Sequence, residues 1–240
     1  MANKTRADIL AQVYEYVPNA NVTSHNDLTD NLADLAVEVI SAEHDFTYLR
    51  STTPATHDVL QTEYTVAESD FSFTNLKEIT HLQWVKAATG EHNNITHLPE
   101  QEFHARYGYV SYSGNSEGKP MHYTRAGNTL LFNCALDETV TVRAWYQQYH
   151  GNFTDDNTSH SFQPDNLGFQ VIVAVILQEL HTSIPGLELS PKAQAALMKA
   201  SVYVGKLVMA DLDKASEPIV LRAAHTKHED TVYNPYNWTT

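Results

Sequence analysis

Cysteine is almost missing from this chain: Cys134 is the only one in 240 residues. That excludes an intrachain disulfide and a cysteine-rich zinc site. Basic residues are also scarce, 15 Lys plus Arg against 29 Asp plus Glu, for a formal net charge of -14. A protein that coats nucleic acid needs clustered Lys and Arg to release counterions, so that class is excluded as well. Long apolar runs are absent. The longest, Val171 to Leu177, falls far short of the roughly 20 residues that a membrane helix needs. The start, Met1 to Ala11, lacks the apolar core of a secretion signal. The Asn-x-Thr/Ser sequons at Asn3, Asn21, Asn94, Asn152, Asn157 and Asn237 therefore read as products of an Asn- and Thr-rich composition. Charged residues make up only 18%, below the roughly 25% usual for soluble domains. Hydrophobic residues reach 42%, enough to exclude a disordered chain. A low charge density of this kind suits a surface partly covered by partners.

What is present falls into four stretches. Residues 5 to 17 carry Ile9, Leu10, Val13 and Val17 on one helical face, behind a capping box of Thr5 and Asp8. A second helix, capped at Asn26 or Asp27, is expected to reach about Leu49. Leu28, Leu32, Leu35 and Val39 form its apolar stripe, and Asp30, Asp34, Glu38 and Glu43 lie on the rest of its surface. From His57 to Tyr149 the period becomes two, which predicts four to six short strands in a small antiparallel sheet or sandwich. Ala126-Gly-Asn128 marks a hairpin, and Leu98-Pro-Glu100 a short helix start. Two more helices follow a polar loop. One runs from near Ser161 or Pro164 to about His181, and the other starts at Ser190-Pro191 with Ala193, Ala196, Leu197, Ala200, Val204 and Val208 facing inward. The tail from Ile219 onward ends in Tyr233, Tyr236 and Trp238, aromatic anchors suited to docking on a partner.

Local motifs for chemistry are few. Gly114-Asn-Ser116-Glu-Gly118 has the spacing of a hydrolase nucleophile elbow, but Lys119-Pro120 follows where a helix should begin, so a polar turn is expected. Thirteen histidines are scattered, and the best spacing, His225 and His228, has no third ligand nearby. Asp155, Asp156 and Asp165 lack the alternation of a calcium loop. Asp211 and Asp213 stand two apart on a helix and do not share a face. Cys134 reads as a small buried hydrophobe. Trp84 and Trp145 read as sheet packing, with a sugar- or base-stacking platform as the alternative. The expectation is a protein that is not an enzyme and carries no cofactor or metal.

The middle of the chain carries a likeness. Thr62-Glu-Tyr-Thr-Val-Ala is followed by Leu76-Lys-Glu-Ile-Thr-His-Leu-Gln-Trp84, Leu98-Pro-Glu-Gln-Glu-Phe103 and Lys119-Pro-Met-His-Tyr-Thr. Then come Asn128-Thr-Leu-Leu-Phe-Asn and Ala144-Trp-Tyr-Gln-Gln-Tyr149, leading into Asn152-Phe-Thr-Asp-Asp156. This order resembles the tailed-bacteriophage head–tail adaptors, also called connector, neck or tail tubular A-like proteins, over roughly residues 5 to 211. The long polar stretch from Lys86 to His97 and the extended tail after Pro218 depart from the family pattern.

The resemblance implies an α+β fold. It would be a helical bundle of an N-terminal helix pair (1–55) and a C-terminal helix pair (151–216), with a small antiparallel β domain inserted (56–150) and an extended docking tail (217–240). It implies a structural virion protein: a homo-oligomeric ring of twelve copies beneath the portal, joined to downstream tail or tail-terminator proteins. DNA would pass through without specific binding, and no membrane would be involved. Asp30, Asp34, Glu38, Asp155 and Asp156 are the candidates for an acidic lumen. Tyr233, Tyr236 and Trp238 are the candidates for docking on the portal or a neighbour. Other readings are a tail-completion or baseplate protein, or a glycan- or receptor-binding module using the sheet aromatics.

Overall fold

The computed structural model describes residues 4–17, 26–108, 117–184 and 186–216. Helix α1 (Arg6–Tyr16) opens on the capping box read from the sequence. Thr5 Oγ1 accepts from the Asp8 amide at 3.3 Å, and Asp8 Oδ2 accepts from the Thr5 amide at 3.1 Å. Helix α2 (Asn26–Glu43) buries Leu32, Ala33, Ala36, Val37 and Ile40. It stops at Glu43 instead of near Leu49, and Thr47–Leu49 forms a separate 3₁₀ turn. Two side chains from distant segments bind there. Lys77 Nζ donates to the carbonyls of Ser41 (2.8 Å) and His44 (3.2 Å), the orphan acceptors at a helix end. Asp211 takes the Thr47 amide at 3.0 Å, out of helical pairing.

Seven strands follow: β1 (Ala55–Val59), β2 (Thr65–Ala67), β3 (Leu76–Val85), β4 (His92–His97), β5 (His122–Ala126), β6 (Thr129–Phe132) and β7 (Val140–Gln148). Their order in the sheet is β1-β7-β3-β4-β5-β6-β2. Every neighbouring pair is antiparallel except β4 and β5, where Thr96 and His97 run parallel to His122 and Tyr123. This corrects the expected fold class. The β part is no small antiparallel insert in a helical bundle, but a seven-stranded mixed sheet curled into a nearly closed barrel with its own core.

The short helix expected from Leu98-Pro-Glu100 forms, but β4 replaces an expected polar loop. His92-Asn-Asn-Ile-Thr-His buries only Ile95, and asparagine is poor in strands, so the segment reads as loop. Helix α3 (Glu100–Tyr107) follows, and β5 begins beside the last residues of β4, Thr96 and His97. A strand that returns through a helix can pair in parallel, which a hairpin forbids.

Helix α4 (Asp165–Ser183) buries Val171, Ile172, Val173, Ala174, Ile176, Leu177 and Leu180. It packs against α1, α2 and the last helix, α5 (Pro191–Ser216). An apolar surface nearly all round is what a helix needs when surrounded by others. Ser190 caps α5, its Oγ accepting from the Ala193 amide at 3.2 Å. There are thus two hydrophobic cores, one among the helices and one inside the sheet. Lys77 on β3 clamps them together at the end of α2, also meeting Asp45 at 2.8 Å. Gln147 on β7 adds a buried donor to the Phe46 carbonyl at 2.7 Å.

Candidate functional site

The acidic candidates divide by what holds them. Asp34 is half-buried on α2, and its Oδ1 accepts from the Phe153 amide at 2.9 Å. It therefore anchors the 151–158 loop as well as carrying charge, and it brings α2 beside the segment bearing Asp155 and Asp156. Asp155 is exposed and folds that loop on itself, its Oδ1 accepting from the Asn157 amide (2.8 Å) and from Thr158 Oγ1 (3.1 Å). Asp156 is exposed, its carbonyl accepts from the Ala7 amide, and its carboxylate stands 4.0 Å from Arg6. Glu38 is exposed on α2. Asp30 lies in α2, with its side chain outside the described set. Tyr233, Tyr236 and Trp238, along with Ser116, His225 and His228, also lie outside the described residues.

The sequence reading missed two polar clusters. Asp211, on the buried face of α5, is only 1% exposed. It accepts from the Thr47 amide, from Thr47 Oγ1 at 2.6 Å, and meets His44 Nε2 at 3.0 Å. An aspartate at a core position of an otherwise apolar helical stripe was the available signal. Burial of its neighbour Tyr48 raises that phenol well above its ordinary value, and the Asp211 charge adds to the shift. The second cluster is His150 and His160. His150 stacks on Phe162 (ring centroids 5.1 Å apart) and accepts the Ser161 amide on Nε2 at 2.9 Å. His160 is buried, with Nε2 3.4 Å from Asp165 Oδ1. Burial pushes His160 down to about 4, against the pull of Asp165, and burial also lowers His150. No local spacing marks this pair, because the loop and α4 assemble it.

Among the described residues the surface offers several clefts and exposed apolar side chains. Before Leu82, β3 does not pair with β4. A cleft of about 410 Å³ opens there, lined by Lys77, Glu78, His97, Tyr123, Arg125 and Tyr149. Burial, reinforced by Glu78, pushes Tyr123 up to about 12, so it stays a neutral hydrogen-bond donor near pH 7. Among the described residues no cluster of His, Cys, Asp and Glu could hold a metal ion. Cys134 is buried beside Asp137, and burial raises its thiol. Trp84 is 3% exposed and belongs to the sheet core, with Lys119 Nζ 5.0 Å above its ring. Trp145 is half-buried against His81. The two tryptophans therefore do not form an open stacking platform. On α5, by contrast, Met198, Val202, Met209 and Leu212 all face solvent. Among the described residues no helix is long and apolar enough to cross a membrane.

No protein-family model matches the chain, and no curated protein sequence matches it.

Proposed function

We propose that this chain is a head–tail adaptor of a tailed bacteriophage: a structural virion protein, not an enzyme, that forms a ring of twelve copies beneath the portal and joins it to the downstream tail proteins. The observation that carries this reading is the order of elements. The pair α1 and α2 precedes the strands, and β7 carries Trp145 and Tyr146 toward its end and leads through the acidic 151–158 loop to the pair α4 and α5. The exposed apolar face of α5 supports it, because a patch of this kind on a helix is what a neighbouring subunit covers.

In this role the work is physical. Each subunit buries surface against the next, and rotation closes the ring. Twelve copies would carry a formal charge on the order of -170, from -14 each. An acidic channel repels phosphate, so DNA slides through it without adhering. Glu38, Asp155 and Asp156 have the exposure that a lumen-lining carboxylate needs, while Asp34 also holds its loop. Tyr233, Tyr236 and Trp238 would dock the tail on the portal or on a neighbour.

The test is electron microscopy of the purified full chain with and without portal rings. A twelve-fold ring seated on the portal is the expected result. Portal rings that stay bare at saturating protein, with the chain found instead at a tail tip or bound to glycan, would overturn the reading.

A further inference from the structure

Strand β3 is paired unequally on its two edges. Toward β7 its pairing runs from Leu76 to Val85, but toward β4 only from Leu82 to Val85. Two register shifts, at Leu76/Glu78 and Ile79/His81, bend its first part. Strand β4 meanwhile turns to β5. The Thr96 amide donates to the Met121 carbonyl and the Leu98 amide to the Tyr123 carbonyl, each at 2.8 Å. Successive residues of a strand aim their backbone groups at opposite edges. His97, between those two, therefore aims its own toward β3, where no residue is paired with it. The two strands thus fork. The fork holds the cleft of about 410 Å³ and a second of about 520 Å³, and Glu78, Ile79, His97 and Tyr123 line both. The two clefts adjoin along one open strand edge.

The side chains of the groove carry a polarity of their own. Tyr123 is only 3% exposed, yet its hydroxyl makes no hydrogen bond among the described residues. Its ring lies against His97, with centroids 5.1 Å apart. Glu78 is exposed, and its charge is felt at the Tyr123 phenol. It has no ion-pair partner among the described residues. The two cations of the groove are already engaged. Lys77 is held by the α2 carbonyls and Asp45, and Arg125 by Glu68, with Nη2 at 2.9 Å. An unmatched carboxylate and an unpartnered hydroxyl therefore stand beside unpaired backbone.

We propose that this groove is a strand-addition site: an extended segment of a partner protein pairs its backbone with β3 over residues 76–81 and sets a Lys or Arg side chain against Glu78 and the Tyr123 hydroxyl. The open edge selects a strand, because a helix has spent its backbone groups internally and cannot pair with a ladder. The charge selects a basic residue, since Glu78 and a chain of net charge -14 both repel an acidic one. The site goes beyond the adaptor reading and does not depend on it.

The experiment is fluorescence anisotropy of the full chain with labelled octapeptides of alternating Thr and Val around one central Lys, in an array that varies the flanking residues. Lys peptides are expected to bind, and their Lys-to-Glu counterparts to bind about tenfold more weakly or worse. N-methylation of alternate amides should abolish binding for one of the two alternating sets and spare the other, because only one edge of the peptide faces β3. Glu78→Lys should reverse the preference toward Glu peptides. Tyr123→Phe keeps the buried ring and should weaken Lys peptides several-fold. Circular dichroism checks that both variants keep the wild-type fold, and hydrogen exchange should show amides within 78–81 slowed by bound peptide. An array with no Lys peptide bound at millimolar concentration would overturn the site. So would binding that tolerates N-methylation on either edge, or a preference unchanged in Glu78→Lys. Portal rings play no part in this readout, so loss of the site leaves the adaptor reading standing.

Discussion

Burial strongly alters the chemistry of His160. Its side chain is inaccessible to solvent, and burial pushes it down to about 4 from an ordinary 6.5. The unfolded chain takes up this proton near 6.5, whereas the folded chain resists it until about 4. Stability is therefore fully present above about pH 6.5 and falls as the pH drops toward about 4, by up to roughly 3 kcal/mol from this group. His150, also lowered by burial, pulls in the same direction. Urea unfolding across that range should show the decline, with a flatter acid limb in His160→Gln. A wild type equally stable at both ends would contradict it. Neither histidine can be picked out of thirteen by spacing. Asp211 is partly legible, since its place on the inner stripe of α5 marks it as buried, but its partners Thr47 and His44 lie far away in the chain.

At the scale of elements, α4 shows both the reach of sequence reasoning and a constraint beyond it. Val171 to Leu177 has the composition of a strand, and the polar flanks at either end favour the helix that forms. The contact made by Gly168 is not visible in that pattern. A Cβ there would stand 2.6 Å from Phe162 Cβ and 3.0 Å from His160 Cε1, so the missing side chain lets the loop lie against the helix. Replacing a helical glycine by alanine usually gains up to about 1 kcal/mol. Here overpacking costs about 1–3 kcal/mol, because the clashing Phe162 Cβ cannot swing aside, and it should win. Gly168→Ala is thus expected to lower the urea midpoint with an unchanged slope, and a raised midpoint would show that the loop gives way freely. The β segments are less legible. Strands with clean alternation, such as β7, are plain, whereas β4 holds its place through backbone pairing on both sides and offers one buried side chain.

The whole molecule couples two hydrophobic cores through a few polar contacts. Lys77 is the main one, with its ammonium on three carbonyls at the end of α2 and on Asp45. Lys77→Met should leave both cores packed but loosen their coupling. Tryptophan fluorescence follows the sheet mainly through Trp84 and Trp145, and far-ultraviolet circular dichroism follows the helices. The two unfolding curves should coincide in the wild type and separate in the variant. Coincident curves in the variant would show that Gln147 and the apolar contacts suffice.

The sequence by itself determined the helices, because their buried faces recur every three to four residues, and it limited the chemistry, because the charge balance and the single cysteine are properties of composition. It also carried the likeness on which the adaptor reading stands. Only the tertiary structure decided the extent and sense of the sheet. The parallel pairing of β4 with β5 depends on the return path through α3, a long-range geometry that no local pattern encodes. It alone separated the two faces of α5 as well. Both are apolar at helical spacing, and among the described residues only one of them is packed on the rest of the chain.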